Sequence, residues 1–204
     1  MKSSLSLTLL AAVITAAAVP AAQAQSAGDM MVRLRAVNID PANSDTVVIG
    51  GTDVAVDLNS KAFPEVDFTY FATPNIALEL VLTYPQKHDV SIDGVKAGSL
   101  KHLPPTLTLQ YHFTDLGPAR PYLGAGLNYT RFSSVNLPAG LGIENNSVGW
   151  AVQGGVDYLL DNRWSLNFDF KKLQIRTDLS SGGVNHGTLK IDPYLLGVGV
   201  GYKF

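Results

Sequence analysis

The chain has 204 residues, with 15 Lys and Arg against 17 Asp and Glu, a formal net charge of −2, 19 glycines and no cysteine. This near-balance leaves no basic footprint for nucleic acid, and the absence of thiols excludes disulfide staples and thiol chemistry. With 46% hydrophobic residues, the chain is rich enough in apolar side chains to bury or embed a large surface.

Met1 and Lys2 open a positively charged start, followed by an apolar run from Leu5 to Val19, Pro20, and the small-residue site Ala22-Gln23-Ala24. This pattern reads as a secretory signal peptide over residues 1–24, cut after Ala24 and leaving 25–204 as one domain. The run is shorter than the roughly 18–20 residues a membrane helix needs. No later stretch has the length of such a helix, so spanning helices are not expected.

Eight strands follow, each marked by apolar residues at alternate positions, which on a strand share one face. The first carries Met30, Val32, Leu34 and Ala36 on that face, with Met31, Arg33, Arg35 and Val37 on the other. The second has Val66, Phe68 and Tyr70 against Asp67, Thr69 and Phe71. The third has Ile76, Leu78, Leu80, Leu82 and Tyr84 against Ala77, Glu79, Val81 and Thr83. The fourth sets Leu107, Leu109, Tyr111 and Phe113 against Thr106, Thr108, Gln110 and His112. The fifth sets Leu123, Ala125, Leu127 and Tyr129 against Tyr122, Gly124, Gly126 and Asn128. In the sixth, Trp150, Val152, Val156 and Tyr158 oppose Ala151, Gln153, Gly155 and Asp157. In the seventh, Trp164, Leu166, Phe168 and Phe170 oppose Ser165, Asn167, Asp169 and Lys171. The eighth reads Tyr194, Leu196, Val198, Val200, Tyr202 and Phe204 on one face, with Leu195, Gly197, Gly199, Gly201 and Lys203 on the other.

Short connections around Thr73-Pro74-Asn75, Asp115 to Pro118 and Asp161-Asn162 alternate with long ones at 39–63, 85–103, 133–148 and 176–189. The pattern predicts an all-β fold: an eight-stranded antiparallel transmembrane β-barrel with short periplasmic turns and long extracellular loops. Asp93-Gly94 predicts a hairpin turn standing above the membrane. The apolar residues Val47, Val48 and Ile49 in the first long loop are expected to fold back over the mouth.

Alternation alone does not say which face is outside, because a lipocalin-like barrel would turn its apolar face inward. Glycines 124, 126, 155, 197, 199 and 201 share the polar face, where they make room in a narrow bore; Gly154 is an exception. Tyr84, Tyr129, Trp150 and Tyr194 fall at the long-loop end, and Phe113, Tyr158, Trp164, Tyr202 and Phe204 at the short-turn end, as two aromatic girdles. With the faces reversed, Arg33, Arg35 and Lys171 would meet lipid at about 2–4 kcal/mol each near the midplane. The apolar face therefore points to lipid.

Eight strands leave a bore that side chains nearly fill. The inward charges Arg33, Arg35, Asp67, Glu79, Asp157, Asp169 and Lys171 read as an ion-pair network plugging the periplasmic half, since unpaired charges there would be too costly. A proton or ion relay is the sharper alternative. Nearer the long loops, Val37, Val81, Phe132, Leu173, Ile191 and Leu195 face inward, either lining a pocket for a small hydrophobic ligand or packing under the first loop. His88, His102, His112 and His186 show no metal-ligand spacing, and the first two and the last read as solvated loop histidines. Ser99 and His102 share a loop without an acid or oxyanion hole beside them, so neither catalysis, a metal nor a cofactor is expected. Arg131 lies at the outer rim, where it can reach anionic lipid head groups.

Several segments carry a family resemblance: Ala72-Thr73-Pro74-Asn75-Ile76-Ala77-Leu78-Glu79-Leu80, His102-Leu103-Pro104-Pro105-Thr106-Leu107, the run Arg120 to Thr130, Gly155-Val156-Asp157-Tyr158-Leu159, and Asp192-Pro193 through to Gly201-Tyr202-Lys203-Phe204. In this order they resemble the OmpW family of small outer-membrane barrels. The resemblance implies a hydrophobic interior channel that passes small hydrophobic molecules across the outer membrane, with a sideways exit through the wall. It also implies that the barrel-assembly machinery recognises the terminal strand ending at Phe204. Two functions are thus in view: a narrow channel for small hydrophobic solutes, or a structural and interaction barrel with a sealed interior. The partners expected are outer-membrane lipid and lipopolysaccharide, the assembly machinery and small hydrophobic solutes.

Overall fold

The computed structural model describes residues 25–42, 45–49, 52–138, 141–181 and 184–204. The expected signal peptide lies outside the described residues. Among the described residues there are fifteen strands: β1 (Met30–Asp40), β2 (Asp45–Ile49), β3 (Thr52–Leu58), β4 (Lys61–Phe71), β5 (Ile76–Leu82), β6 (Gln86–Ile92), β7 (Val95–Leu103), β8 (Thr106–His112), β9 (Ala119–Asn136), β10 (Leu141–Ile143), β11 (Asn146–Leu159), β12 (Trp164–Leu173), β13 (Arg176–Ser181), β14 (Val184–Lys190) and β15 (Tyr194–Lys203).

Eight of them close a ring in the order β1, β4, β5, β8, β9, β11, β12, β15 and back to β1, every neighbour antiparallel. Closure removes the free edges that an open sheet would expose to lipid. Among the described residues no helix is long and apolar enough to cross a membrane; the strands make the crossing.

The two faces differ without ambiguity. Leu109 and Phe168 are 56% and 46% exposed, whereas Arg33 and Glu79 are fully buried. In a water-soluble protein that distribution would be inverted. Here the exposed band is the lipid-facing wall.

The four long connections hold further sheet. The β2–β3 and β6–β7 hairpins continue beyond the barrel through β7, which pairs with the outer end of β9. β10, β13 and β14 form a second small sheet. Asp93 and Gly94, both with positive φ, make the β6–β7 turn, as a two-residue hairpin of this type requires. The backbone of Val47, Val48 and Ile49 lies in β2, and their side chains lie outside the described residues.

Candidate functional site: a two-layered barrel interior

The first layer lies in the half of the bore nearer the short turns and is ionic. Register brings its members together. Arg33 and Arg35 on β1 stand opposite Asp67 and Glu65 on β4, and Thr69 on β4 stands opposite Glu79 on β5. On the other wall Asp157 pairs with Asn167, and Gln153 with Lys171. Glycines sit across from the bulkiest inward groups, Gly201 from Arg33, Gly199 from Arg35 and Gly155 from Tyr122, leaving the bore width for long side chains.

Arg33 donates through Nη1 to Glu79 Oε2 at 2.7 Å and to Thr69 Oγ1 at 2.7 Å. It also grips Asp157 with two parallel bonds, Nε to Oδ1 at 3.1 Å and Nη2 to Oδ2 at 2.6 Å, the fork geometry that makes arginine pairs strong. Arg35 reaches Glu79 at 2.8 Å, Asp67 at 2.7 Å and Asp169 at 2.9 Å. Lys171 Nζ bridges Glu65 at 2.8 Å and Asp169 at 2.9 Å. Gln153 donates to Glu79 Oε1 at 3.0 Å, and the Tyr122 hydroxyl to Asp169 Oδ2 at 2.6 Å. Arg33 lies 5.3 Å from the centre of the Tyr122 ring.

All seven charges expected from the sequence meet here, joined by one further charge, Glu65, and by neutral partners that include Thr69, Tyr122, Gln153 and Asn167. Glu65 precedes the expected start of the second strand at Val66, yet shares the phase of Asp67; β4 begins before that start, at Lys61, and runs through Pro64. Tyr122 and Gln153 were on the inward face, but nothing in a one-dimensional pattern says which neutral side chains will bond a charge.

The second layer lies toward the long loops and is apolar. Val37, Phe132, Leu173, Ile191 and Leu195 are buried in one cluster with Ile39, Phe63, Ile175 and residues of β3, β6, β7, β13 and β14. Val81 is buried as well, outside that cluster. A cavity of about 20 Å³ within the layer is lined by other residues, among them Val56, Leu100, Ile143 and Leu189. It has room for about one water molecule.

His88 and His102 correct the sequence reading of solvated loop histidines. Both are fully buried, with rings stacked 4.6 Å apart between centres, 15° from parallel. His88 Nδ1 lies 2.8 Å from the Asn59 carbonyl oxygen, and the edge of His102 meets Phe132 at 6.5 Å. The strand period carried the signal: both rings share the phase of Val90 and Leu100, which face the apolar layer. Neither nitrogen of His102 has a hydrogen-bond partner, so Ser99 does not bond it. Among the described residues no group of three or more His, Asp or Glu is arranged to hold a metal.

This pair stands in the hairpin above the outer girdle and predicts a pH dependence. Burial, and then the neighbouring His88, lower the pKa of His102 to about 3; burial foremost also lowers that of His88. A folded pKa below the unfolded value of about 6.5 means that the native hairpin binds fewer protons. The stability it contributes is complete above that value and is lost as pH falls from there toward 3. The protection of the β6 and β7 amides, taken relative to their intrinsic exchange rates at each pH, should fall on acidification, and His102→Phe should flatten the response; an identical pH profile in the variant would refute the assignment.

A sequence model of the OmpW family matches residues 26–204. The chain belongs to the OmpW family. An uncharacterized outer-membrane protein of Sinorhizobium fredii, y4mB, is 41% identical over 91% of this chain and 85% of its own length. The dibenzothiophene metabolism operon protein PahQ of Pseudomonas aeruginosa is 30% identical over 77% of each chain. Among solved structures, outer membrane protein OprG of Pseudomonas aeruginosa superposes with a TM-score of 0.76 at 28% identity, covering 89% of this chain and 98% of that one. This OmpW-family chain is thus an outer-membrane β-barrel, and lipid surrounds its exposed apolar band.

Proposed function

We propose that this OmpW-family barrel is a narrow conduit for small hydrophobic molecules, entering from the long-loop end and leaving sideways through the wall. The observation that carries the reading is the order of the two layers. An apolar layer inside a barrel is of no use to ions, and beneath it the bore is filled by ion pairs that an apolar solute cannot cross without breaking them. A sideways exit is supported by the ladder between β5 and β8, which ends at Val81 and Thr106. Next to it stand Pro104 and Pro105, which have no N–H to donate, and β7 turns away to pair with β6 and β9. The relative named for a dibenzothiophene metabolism operon points to apolar ring compounds as the class to test. We read the chain as carrying no catalytic site, and its terminal strand, ending in Tyr202 and Phe204, as the signal for the barrel-assembly machinery.

The competing reading, a structural barrel with a closed interior, draws its support from the 20 Å³ cavity. The two separate experimentally. Leu195→Asp or Phe132→Asp should slow uptake of a hydrophobic aromatic probe by cells several-fold while the purified barrel keeps its heat-modifiable migration on gels. Unchanged uptake in a correctly folded variant, with no amphiphile found inside the wild-type barrel, would leave the structural reading standing.

A further inference from the structure

Above the outer girdle, the wall that faces lipid lower down continues upward as the β9, β7, β6 sheet. On its outer face three cations lie side by side. The register sets Lys87 of β6 directly opposite Lys101 of β7, which in turn stands opposite Ser133 of β9. Arg131 is the next outward residue of β9 toward the membrane, two positions past Tyr129, opposite Leu103. Lys87 and Arg131 are exposed and Lys101 is half-buried.

Like charges directly across a strand pair destabilise it, so the Lys87–Lys101 pairing is unfavourable unless something anionic shares the face. The protein supplies it only in part: Asp89 lies close enough to feel the charge of Lys87, but its carboxylate is committed elsewhere. Asp89, the acid on the same outer face, has its carboxylate 2.8 Å from Lys96 at the hairpin tip, and among the described residues none of the three cations forms an ion pair with a carboxylate. Elsewhere on the rim the situation differs: Arg176 pairs with Asp192 at 3.0 Å, and Lys172 lies 3.6 Å from the centre of the Tyr194 ring.

Height narrows the partner. Arg131 stands roughly 7 Å above Tyr129 along the strand, and Tyr129, with Tyr84, marks the level where hydrocarbon gives way to head groups. An anion at that height, against a face continuous with the lipid-facing wall, belongs to a lipid of the outer leaflet. We propose that Lys87, Lys101 and Arg131 form a seat for the phosphorylated sugar head of lipopolysaccharide, with its acyl chains on the apolar wall below. The arginine fork takes two phosphate oxygens, and the two ammonium groups neutralise the remainder while relieving their mutual repulsion.

The test uses the full barrel in nanodiscs of neutral phospholipid, titrated with purified lipopolysaccharide and followed by native mass spectrometry or intrinsic fluorescence. Each cation removed should weaken binding by about fivefold, and Lys87→Gln, Lys101→Gln and Arg131→Gln together by about a hundredfold. Arg163→Ala, at the short-turn end, should bind as the wild type does. Dephosphorylated lipopolysaccharide should bind the wild type as weakly as the intact lipid binds the triple variant. The proposal is overturned if the triple variant, shown to be folded by its heat-modifiable migration, binds lipopolysaccharide normally. It is equally overturned if removing the phosphates changes nothing, or if phosphatidylglycerol competes as well as lipopolysaccharide. Lys101→Gln alone, one mild surface change, should show the fivefold loss, and unchanged binding in that variant would count against the seat as well.

Discussion

Arg35→Met should destabilise the folded barrel by about 3–5 kcal/mol, because it removes one partner from a buried ionic cluster and strands the rest. The direction follows from counting. Glu65, Asp67, Glu79, Asp157 and Asp169 face Arg33, Arg35 and Lys171 in the buried layer, so carboxylates already outnumber cations. Removing Arg35 takes away the group within 2.9 Å of Asp67, Glu79 and Asp169 and deepens the negative excess. Glu79→Gln acts in the opposite sense: it lessens that excess, keeps the side chain's shape, and leaves Arg33 with Asp157 and Arg35 with Asp67 and Asp169. It should therefore cost clearly less than Arg35→Met. Urea unfolding in detergent micelles, read as loss of the heat-modifiable band, gives both values. Equal losses, or an Arg35→Met protein within about 1 kcal/mol of wild type, would show that packing rather than charge holds this layer.

The inside-out arrangement was legible because a barrel strand writes it at period 2, and a chain with Arg33 and Arg35 on one face and Val32 and Leu34 on the other has one sensible orientation in lipid. The ionic layer was legible for the same reason: every inward charge of a narrow bore lies near every other. What could not be read was anything set by partners across the bore or beyond the membrane. Glu65 was passed over because the apolar pattern fades above Val66, although backbone pairing continues to Lys61. The long connections gave no strand signal of lipid type, since β6, β7, β13 and β14 stand in water on one side and meet side chains rather than acyl chains on the other. Their alternation is therefore polar against apolar with the apolar face inward, the reverse of the barrel wall. His88 and His102 were misjudged on that account: polar residues in a loop-like stretch, yet in phase with the inward Val90 and Leu100.

Gly199→Ala should be among the most damaging single changes, even though it adds only a methyl group to a β-strand. A Cβ built at Gly199 would lie 2.1 Å from the Leu34 carbonyl oxygen and 2.7 Å from the Arg35 Cα. Both are backbone atoms of β1, the strand that β15 must join to close the ring. A side chain in the way can rotate; a ladder strand can yield only by opening the seam, and an open seam leaves unpaired N–H and C=O groups facing lipid at several kcal/mol each. Two neighbours isolate the cause. At Gly201 the added carbon would meet the Ser165 hydroxyl at 2.6 Å and the Met31 sulfur at 3.3 Å, both ends of movable side chains, and at Gly197 it would meet Val37 and Arg35 side-chain atoms at 3.3 and 3.4 Å. Gly197→Ala and Gly201→Ala should therefore fold with losses of about 1 kcal/mol, in the lower range for overpacking. Gly199→Ala should refold into micelles poorly and expose its β1–β15 seam to protease. Equal refolding yields for the three variants would mean that the seam breathes enough to accept a methyl group, and that the close approach of β1 to β15 is not what keeps position 199 bare.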